Sequence, residues 1–447
     1  MNTPTTPALG ALAFVALTSV ASAQEPSLNT MRYELDNGLD VVLVEDHSTP
    51  IVHTQVWYHV GSKNEQDGLT GFAHLFEHLM FQGSLNNPGE YFEPIQGVGG
   101  TLNGTTNTDR TNYFETVPAH ELPLALFLEA DRMGHLLEVL DISKLDNQRE
   151  VVRNERRQRY ENPPYGEAWK DLMAALHPVG HPYHHPTIGS HEDLQNADLD
   201  DVKAFFRKWY VPNNATLVVI GDLDVDTTKR LVEEQFGGIP RGEDPKQLPS
   251  MPVTLTETQR IEQVEDVPEA RFWAGWHSAE FFDKGDAELD LLSRVLCGGV
   301  DSRLEQKVVR ELGLARSLSC YQVSRDLGSV YVISGTAADG HTTDEVLKAA
   351  TDEIQNVLTN ALPTVEELEA ARAQYQVGYW QTLATITGRA GLISTYLFHL
   401  DKADYLTEDL ARYEATPEQV VEAAKVVFDA PHVELHIHPP VDGEESK

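Results

Sequence analysis

The residues with the most pointed chemistry are His74, Glu77 and His78, inside the stretch GFAHLFEHLMFQG at 71–83. Histidines four apart on a helix lie about 40° apart around its axis, so these two imidazoles can be aimed at one ion. Glu77 stands at i+3 from the first and next to the second, and so points to the same region. A catalytic zinc takes three protein ligands and keeps one position for water. A carboxylate beside that water is the group that takes its proton. The pattern predicts Zn2+ on His74 and His78, with Glu77 as general base and not as a ligand. The bland alternative is a half-buried helix with two satisfied imidazoles. A third ligand must come from elsewhere. Glu155 falls 77 residues after His78 in QREVVRNERRQRYENPPYG, on the second of two helices expected over 119–137 and 143–160. Glu150 competes with it, but five residues of rotation put it on a different face.

The order H-x-x-E-H reverses the commoner H-E-x-x-H arrangement and is the inverzincin signature. Its flanks carry a family resemblance. VGSKNEQDGLTGFAHLFEHLMFQGS resembles the active-site segment of the pitrilysin/insulinase superfamily, which includes the mitochondrial processing peptidases and their bacterial secreted relatives. GGTLNGTTNTDRTNYFETVP at 99–118, the helix of Glu155, and FFRKWYVPNNATLVVIGDLD at 205–224 resemble family landmarks in the expected order. The resemblance implies an α+β fold of two homologous repeats, each an antiparallel-rich sheet packed with helices, forming a clam-shell subunit. It implies a zinc endopeptidase that works on peptides or unfolded segments in a closed chamber, with Glu155 as the third ligand. It also implies that the edge strand bearing Asn103, Gly104, Thr105 and Thr106 holds an extended peptide substrate through main-chain hydrogen bonds. Relatives often place a carboxylate seven residues before the third ligand, where this chain has Gln148. Glu150 then stands as the candidate carboxylate behind the ligands.

Residues 1–23 hold an apolar run from 8 to 20 and end in Ala21-Ser22-Ala23, which reads as a cleaved signal peptide and a periplasmic or secreted protein. Its amino-terminal part lacks Lys and Arg, and an uncleaved anchor would need a longer run. No later stretch is long and apolar enough to span a bilayer. The net charge of −36 argues against nucleic acid and anionic membranes as partners, and suits cationic peptides or a salty medium. The length calls for two domains, read as 24–240 (zinc-binding) and 259–440, with a polar linker at 241–258 and a tail at 441–447. Cys297 and Cys320 are the two cysteines; in an exported protein they can pair, but spacing does not establish proximity. His47, His53 and His59, and the proline-bearing loop HPVGHPYHHP at 177–186, read as structural rather than ligating.

The second half repeats the plan without the metal. ATPEQVVEAAKVVFDAPHVELHIH echoes ADLDDVKAFFRKWYVPNNATLVVIG, with Val420 opposite Val202 and Phe428 opposite Tyr210, 218 residues apart. DSRLEQKVVRELGLARSLSCY resembles the family segment in which an arginine and, seven residues later, a tyrosine contact substrate. Here Val309 and Arg316 hold those places, and Arg310 is one out of register. The resemblance therefore implies a metal-free homologous partner subunit that supplies the arginine–tyrosine pair. The alternative is a homodimer or monomer in which Arg310 or Tyr321 substitutes. A second function class is a metal-bearing, non-proteolytic binding or assembly subunit. Retention of His74, Glu77, His78 and Glu155 favours the enzyme.

Overall fold

A computed structural model describes residues 27–246 and 248–440. The signal-peptide reading of 1–23 and the tail at 441–447 fall outside the described residues. Among these, the first half contributes β1 (Met31–Glu34), β2 (Asp40–Glu45), β3 (Ile51–Tyr58), β4 (Thr101–Thr106), β5 (Thr111–Pro118) and β6 (Ala215–Gly221). The second contributes β7 (Gln259–Val264), β8 (Arg271–Ser278), β9 (Ala315–Val323), β10 (Ser329–Ala337) and β11 (Val433–His438). Asn37 and Gly38 turn β1 into β2, as the alternation predicts, with Gly38 at φ 87°, where a Cβ would be strained.

The sheets run β1-β2-β6-β3-β5-β4 and β7-β11-β8-β10-β9. β2 pairs with β6 in parallel, as β7 does with β11, and the other neighbours are antiparallel. With β1 set aside, the two orders match strand for strand: β2 with β7, β6 with β11, β3 with β8, β5 with β10, and β4 with β9. The chain is thus a duplicated α+β fold. The echo between 197–221 and 415–438 corresponds to helix Leu199–Trp209 plus β6 and helix Pro417–Phe428 plus β11.

One face of the first sheet shares a core with helices Phe72–Leu79, Leu122–His135, Leu199–Trp209 and Val225–Phe236, through residues such as Phe76, Phe206, Leu217 and Phe236. Its other face is covered from the second half. Val42, Val44, Val218 and Ile220 pack on Ala390, Ile393, Tyr396 and Leu397 of helix Ile386–Leu400. The exchange is reciprocal: Leu172, Met173 and Leu176 of helix Ala168–Leu176 pack under Val330, Val332, Leu435 and Ile437 of the second sheet. This explains why β6 reads ATLVVIG and is buried throughout. Both of its faces meet apolar layers, so it carries no polar alternation.

Two helices are shorter than their sequence patterns suggest. The segment expected over 119–137 is helical from Leu122 to His135, and that expected over 143–160 runs Ile142–Arg156 before loosening into a wide turn at Arg157–Glu161. Pro123 stands in the first turn of the first and Pro163-Pro164 follow the second, and proline bars regular helix on its amino-terminal side. The stretch from 237 to 258 carries no helix or strand among its described residues.

Candidate metal centre and catalytic site

The motif helix Phe72–Leu79 places Phe72, Leu75, Phe76 and Leu79 at i, i+3, i+4 and i+7, all buried in the core. At about 1.5–3 kcal/mol for each apolar side chain buried, this stripe fixes the rotation of the helix. The opposite stripe, His74, Glu77 and His78 continuing to Phe81, then lines a cavity of about 630 Å³. Gly71 caps the helix at φ 92°, where an added Cβ would lie 2.9 Å from the Ile188 carbonyl oxygen. The buried Glu65 carboxylate accepts the N–H groups of Gly71 and Ala73 at 2.8 Å each, so it serves as the cap that Gly71 lacks.

Glu155 arrives from helix Ile142–Arg156, which packs against the motif helix. His78 Nε2 stands 3.2 Å from Glu155 Oε2 and His74 Nε2 3.7 Å from Oε1. Ligand atoms from the three residues lie within 4.8 Å of one another, and among the described residues no other set of three His, Cys, Asp or Glu converges in this way. Zinc bonds of about 2.0–2.1 Å in a tetrahedron separate neighbouring ligand atoms by about 3.3 Å, so this donor set and spacing fit the ion.

The electrostatics suit the same ion. Burial first, then the neighbouring His78, pushes His74 down to about 4, which keeps its imidazole neutral at working pH. His78, the leading cause, and then the charges of His74 and Arg159 hold the Glu155 carboxyl below its usual range, against the effect of burial. Arg159 Nη1 lies 2.7 Å from Glu155 Oε1. Glu77 is pushed the other way, up from the usual range, by burial, although the Thr106 hydroxyl donates to its Oε2 at 2.6 Å. Two carboxyl groups in one cavity thus differ in environment: one is suited to stay ionised, the other to exchange a proton.

The strand that carries Asn103, Gly104, Thr105 and Thr106 is β4, at the end of the first sheet, and all four residues line the cavity. The Asn107 N–H donates to Arg110 O at 3.0 Å across the β4–β5 turn. By alternation from that pair, the main-chain groups of Leu102, Gly104 and Thr106 face the free edge. The Gly104 N–H is held by its neighbour's side chain, Asn103 Oδ1, at 2.9 Å. A Cβ at Gly104 would stand 3.1 Å from Glu77 Cγ and 3.2 Å from the Phe81 ring, so glycine lets the strand approach the motif helix.

Glu150 does not join this group. Its carboxylate pairs with Arg153 Nη1 at 2.5 Å on the exposed side of the helix, outside the cavity lining. The buried Gln148 lines the cavity instead, since it lies seven residues, two helical turns, before Glu155. Arg310 pairs with Glu305, Arg316 with Glu269 and Asp339, and Tyr321 packs under the second sheet; none of the three lines the cavity. The histidine-rich loop is bound up in main-chain contacts, with His177 Nδ1 donating to Met173 O and His181 Nε2 to Met251 O. His53 and His59 meet Thr116 and Thr216 hydroxyls, and His47 meets Asp222 at the surface. Cys297 and Cys320 are joined in a disulfide that ties helix Asp286–Cys297 to β9. Sequence reasoning missed Glu65, Arg159 and the Thr106–Glu77 contact, which depend on three-dimensional approach and leave no periodic signal.

The insulinase (peptidase family M16) model matches residues 40–182, and the peptidase M16 inactive domain matches 196–375. The zinc protease PqqE of Helicobacter pylori is 30% identical over 374 residues, which covers 82% of this chain and 83% of that protein. An uncharacterized zinc protease of Bacillus subtilis, YmxG, is 27% identical over 77% of this chain and 82% of its own length. The crystal structure of a protease from Helicobacter pylori superimposes with a TM-score of 0.84 at 27% identity, covering 93% of this chain and all of that one. The chain belongs to the insulinase family of peptidases, M16. Among the described residues no helix is long and apolar enough to cross a membrane.

Proposed function

We propose that this chain is a zinc-dependent endopeptidase with His74, His78 and Glu155 as ligands and Glu77 as general base. The observation that carries the reading is the convergence of those three side chains at ligand spacing, with Glu77 on the same face beside a free strand edge. Zinc held there supplies Lewis acidity, which acidifies water and polarises a carbonyl. An extended segment adds to β4 as a further strand, and its main chain replaces Asn103 Oδ1 on the Gly104 N–H. Glu77, steadied by Thr106, takes the proton of the attacking water and passes it to the leaving amine. Main-chain recognition tolerates many side chains and requires an unfolded segment, so the substrates are peptides or unstructured stretches, closed in a chamber.

The absence of Arg310, Arg316 and Tyr321 from the cavity lining supports a metal-free homologous partner that supplies an arginine and a tyrosine. The apolar amino-terminal run supports export to the periplasm or beyond. The test is cleavage of a quenched peptide by the zinc-loaded chain, alone and with its partner, beside Glu77→Gln. The reading predicts that Glu77→Gln retains zinc while hydrolysis falls about 10²–10⁴-fold. Hydrolysis unchanged in that variant removes Glu77 from its role. Zinc binding without cleavage by either preparation favours the non-proteolytic binding or assembly subunit.

A further inference from the structure

The Lys63 ammonium is buried between the two halves. Its side chain is 2% exposed, 3.2 Å from Asp109 Oδ1 in the β4–β5 turn and 2.5 Å from Asp326 Oδ2 in the β9–β10 turn. Asp326 also meets His399 Nδ1 at 3.0 Å, on the helix lent by the second half. Tyr183 donates to Asp109 at 2.6 Å and accepts the Leu327 N–H at 2.9 Å. The segment that bears Lys63 grips both arms of the site. The Ser62 and Lys63 N–H groups donate to the Asn107 and Thr108 carbonyls of the β4–β5 turn, and Glu65 caps the motif helix. Gly61 lies so close to that turn that a Cβ would stand 2.5 Å from the Thr108 carbonyl oxygen.

From this geometry we infer that Lys63 and Asp326 are positioning residues: the second half, through its β9–β10 turn, holds the β4–β5 hairpin in register with the metal ligands and Glu77. The inference rests on the peptidase reading for its consequence in rate but not for its consequence in structure. Asp326 is the better handle, because its side chain is 32% exposed and its loss leaves Lys63 paired with Asp109. A strand displaced by about 1 Å still takes up a peptide but presents it out of line, which costs about 10²-fold in the chemical step.

The experiment compares the full-length, zinc-loaded chain as wild type, Asp326→Asn and Asp326→Glu. Hydrogen exchange of amides 103–112 should quicken at least tenfold in Asp326→Asn and return toward wild type in Asp326→Glu, with zinc content unchanged. On a quenched peptide, kcat should fall at least tenfold in Asp326→Asn while KM stays within about threefold. Hairpin exchange equal to wild type in Asp326→Asn overturns the inference, as does a loss carried wholly by KM. Exchange reads no hydrolysis, so a chain that cleaves nothing either alone or with its partner would defeat the peptidase reading while leaving the exchange result to decide this one.

Discussion

At the scale of single residues, three side chains divide the work by environment rather than by type. His74 is kept neutral by burial, Glu155 is kept ionised by His78, then His74 and Arg159, and Glu77 is lifted by burial. A neutral imidazole and an ionised carboxylate are the forms that bind a metal, because the proton and the ion compete for the same lone pair. Glu155→Gln removes the only anionic ligand while preserving shape. We predict zinc affinity at least tenfold weaker in this variant by calorimetric titration, with the melting temperature of the metal-free chain little changed. Affinity equal to wild type would take Glu155 out of the coordination sphere. His74, Glu77 and His78 were legible in the sequence because their spacing on a helix is itself the geometry. Glu155 was legible only through its matching surroundings, since nothing in a 77-residue separation dictates contact.

At the scale of elements, the site is a motif helix, a strand edge and a second helix pressed together, and the strand meets the motif helix at Gly104. A methyl group there meets Glu77 Cγ at 3.1 Å and the buried Phe81 ring at 3.2 Å, so either the Glu77 side chain shifts within the cavity or the strand moves off the helix. Gly104→Ala should lower kcat/KM at least tenfold and shift unfolding by only about 1 kcal/mol, since the backbone at this position is ordinary strand. Denaturant unfolding and peptide kinetics on the same preparation check both halves of that statement; full activity would show that the strand has room to spare. Strands and helices were read well where periodicity is strong, as at β6 and the motif helix. The exact ends were not. The helix expected to reach residue 160 loosens at Arg157–Glu161. Glu150 was placed behind the ligands on residue type alone, whereas the helical repeat puts Gln148 there and turns Glu150 to solvent.

At the scale of the whole molecule, duplication was legible in the echo between the halves, but the exchange of helices between them was not. Helix Ala168–Leu176 and helix Ile386–Leu400 each carry an ordinary apolar stripe, and nothing in a stripe says which sheet it will cover. The same interior holds His53 and His59 at about 4 and His177 at about 3, burial being the first cause for each. The unfolded chain protonates these groups below about pH 6.5 and the folded chain resists, so their contribution is complete above that value. It is lost as pH falls from about 6.5 to about 4 for the first two and to about 3 for the third, on the order of 3–5 kcal/mol each. Melting in about 1 M salt, which screens the repulsion of 36 net negative charges, should fall steadily from pH 7 to 4. A flat profile would show that these imidazoles ionise freely in the folded chain. The most direct test of the central claim is X-ray absorption at the zinc edge of the reconstituted full-length chain. The account predicts low coordination, with two imidazole nitrogens and carboxylate or water oxygens at about 2.0–2.2 Å. A shell without imidazole, or failure to retain zinc at neutral pH, would contradict it.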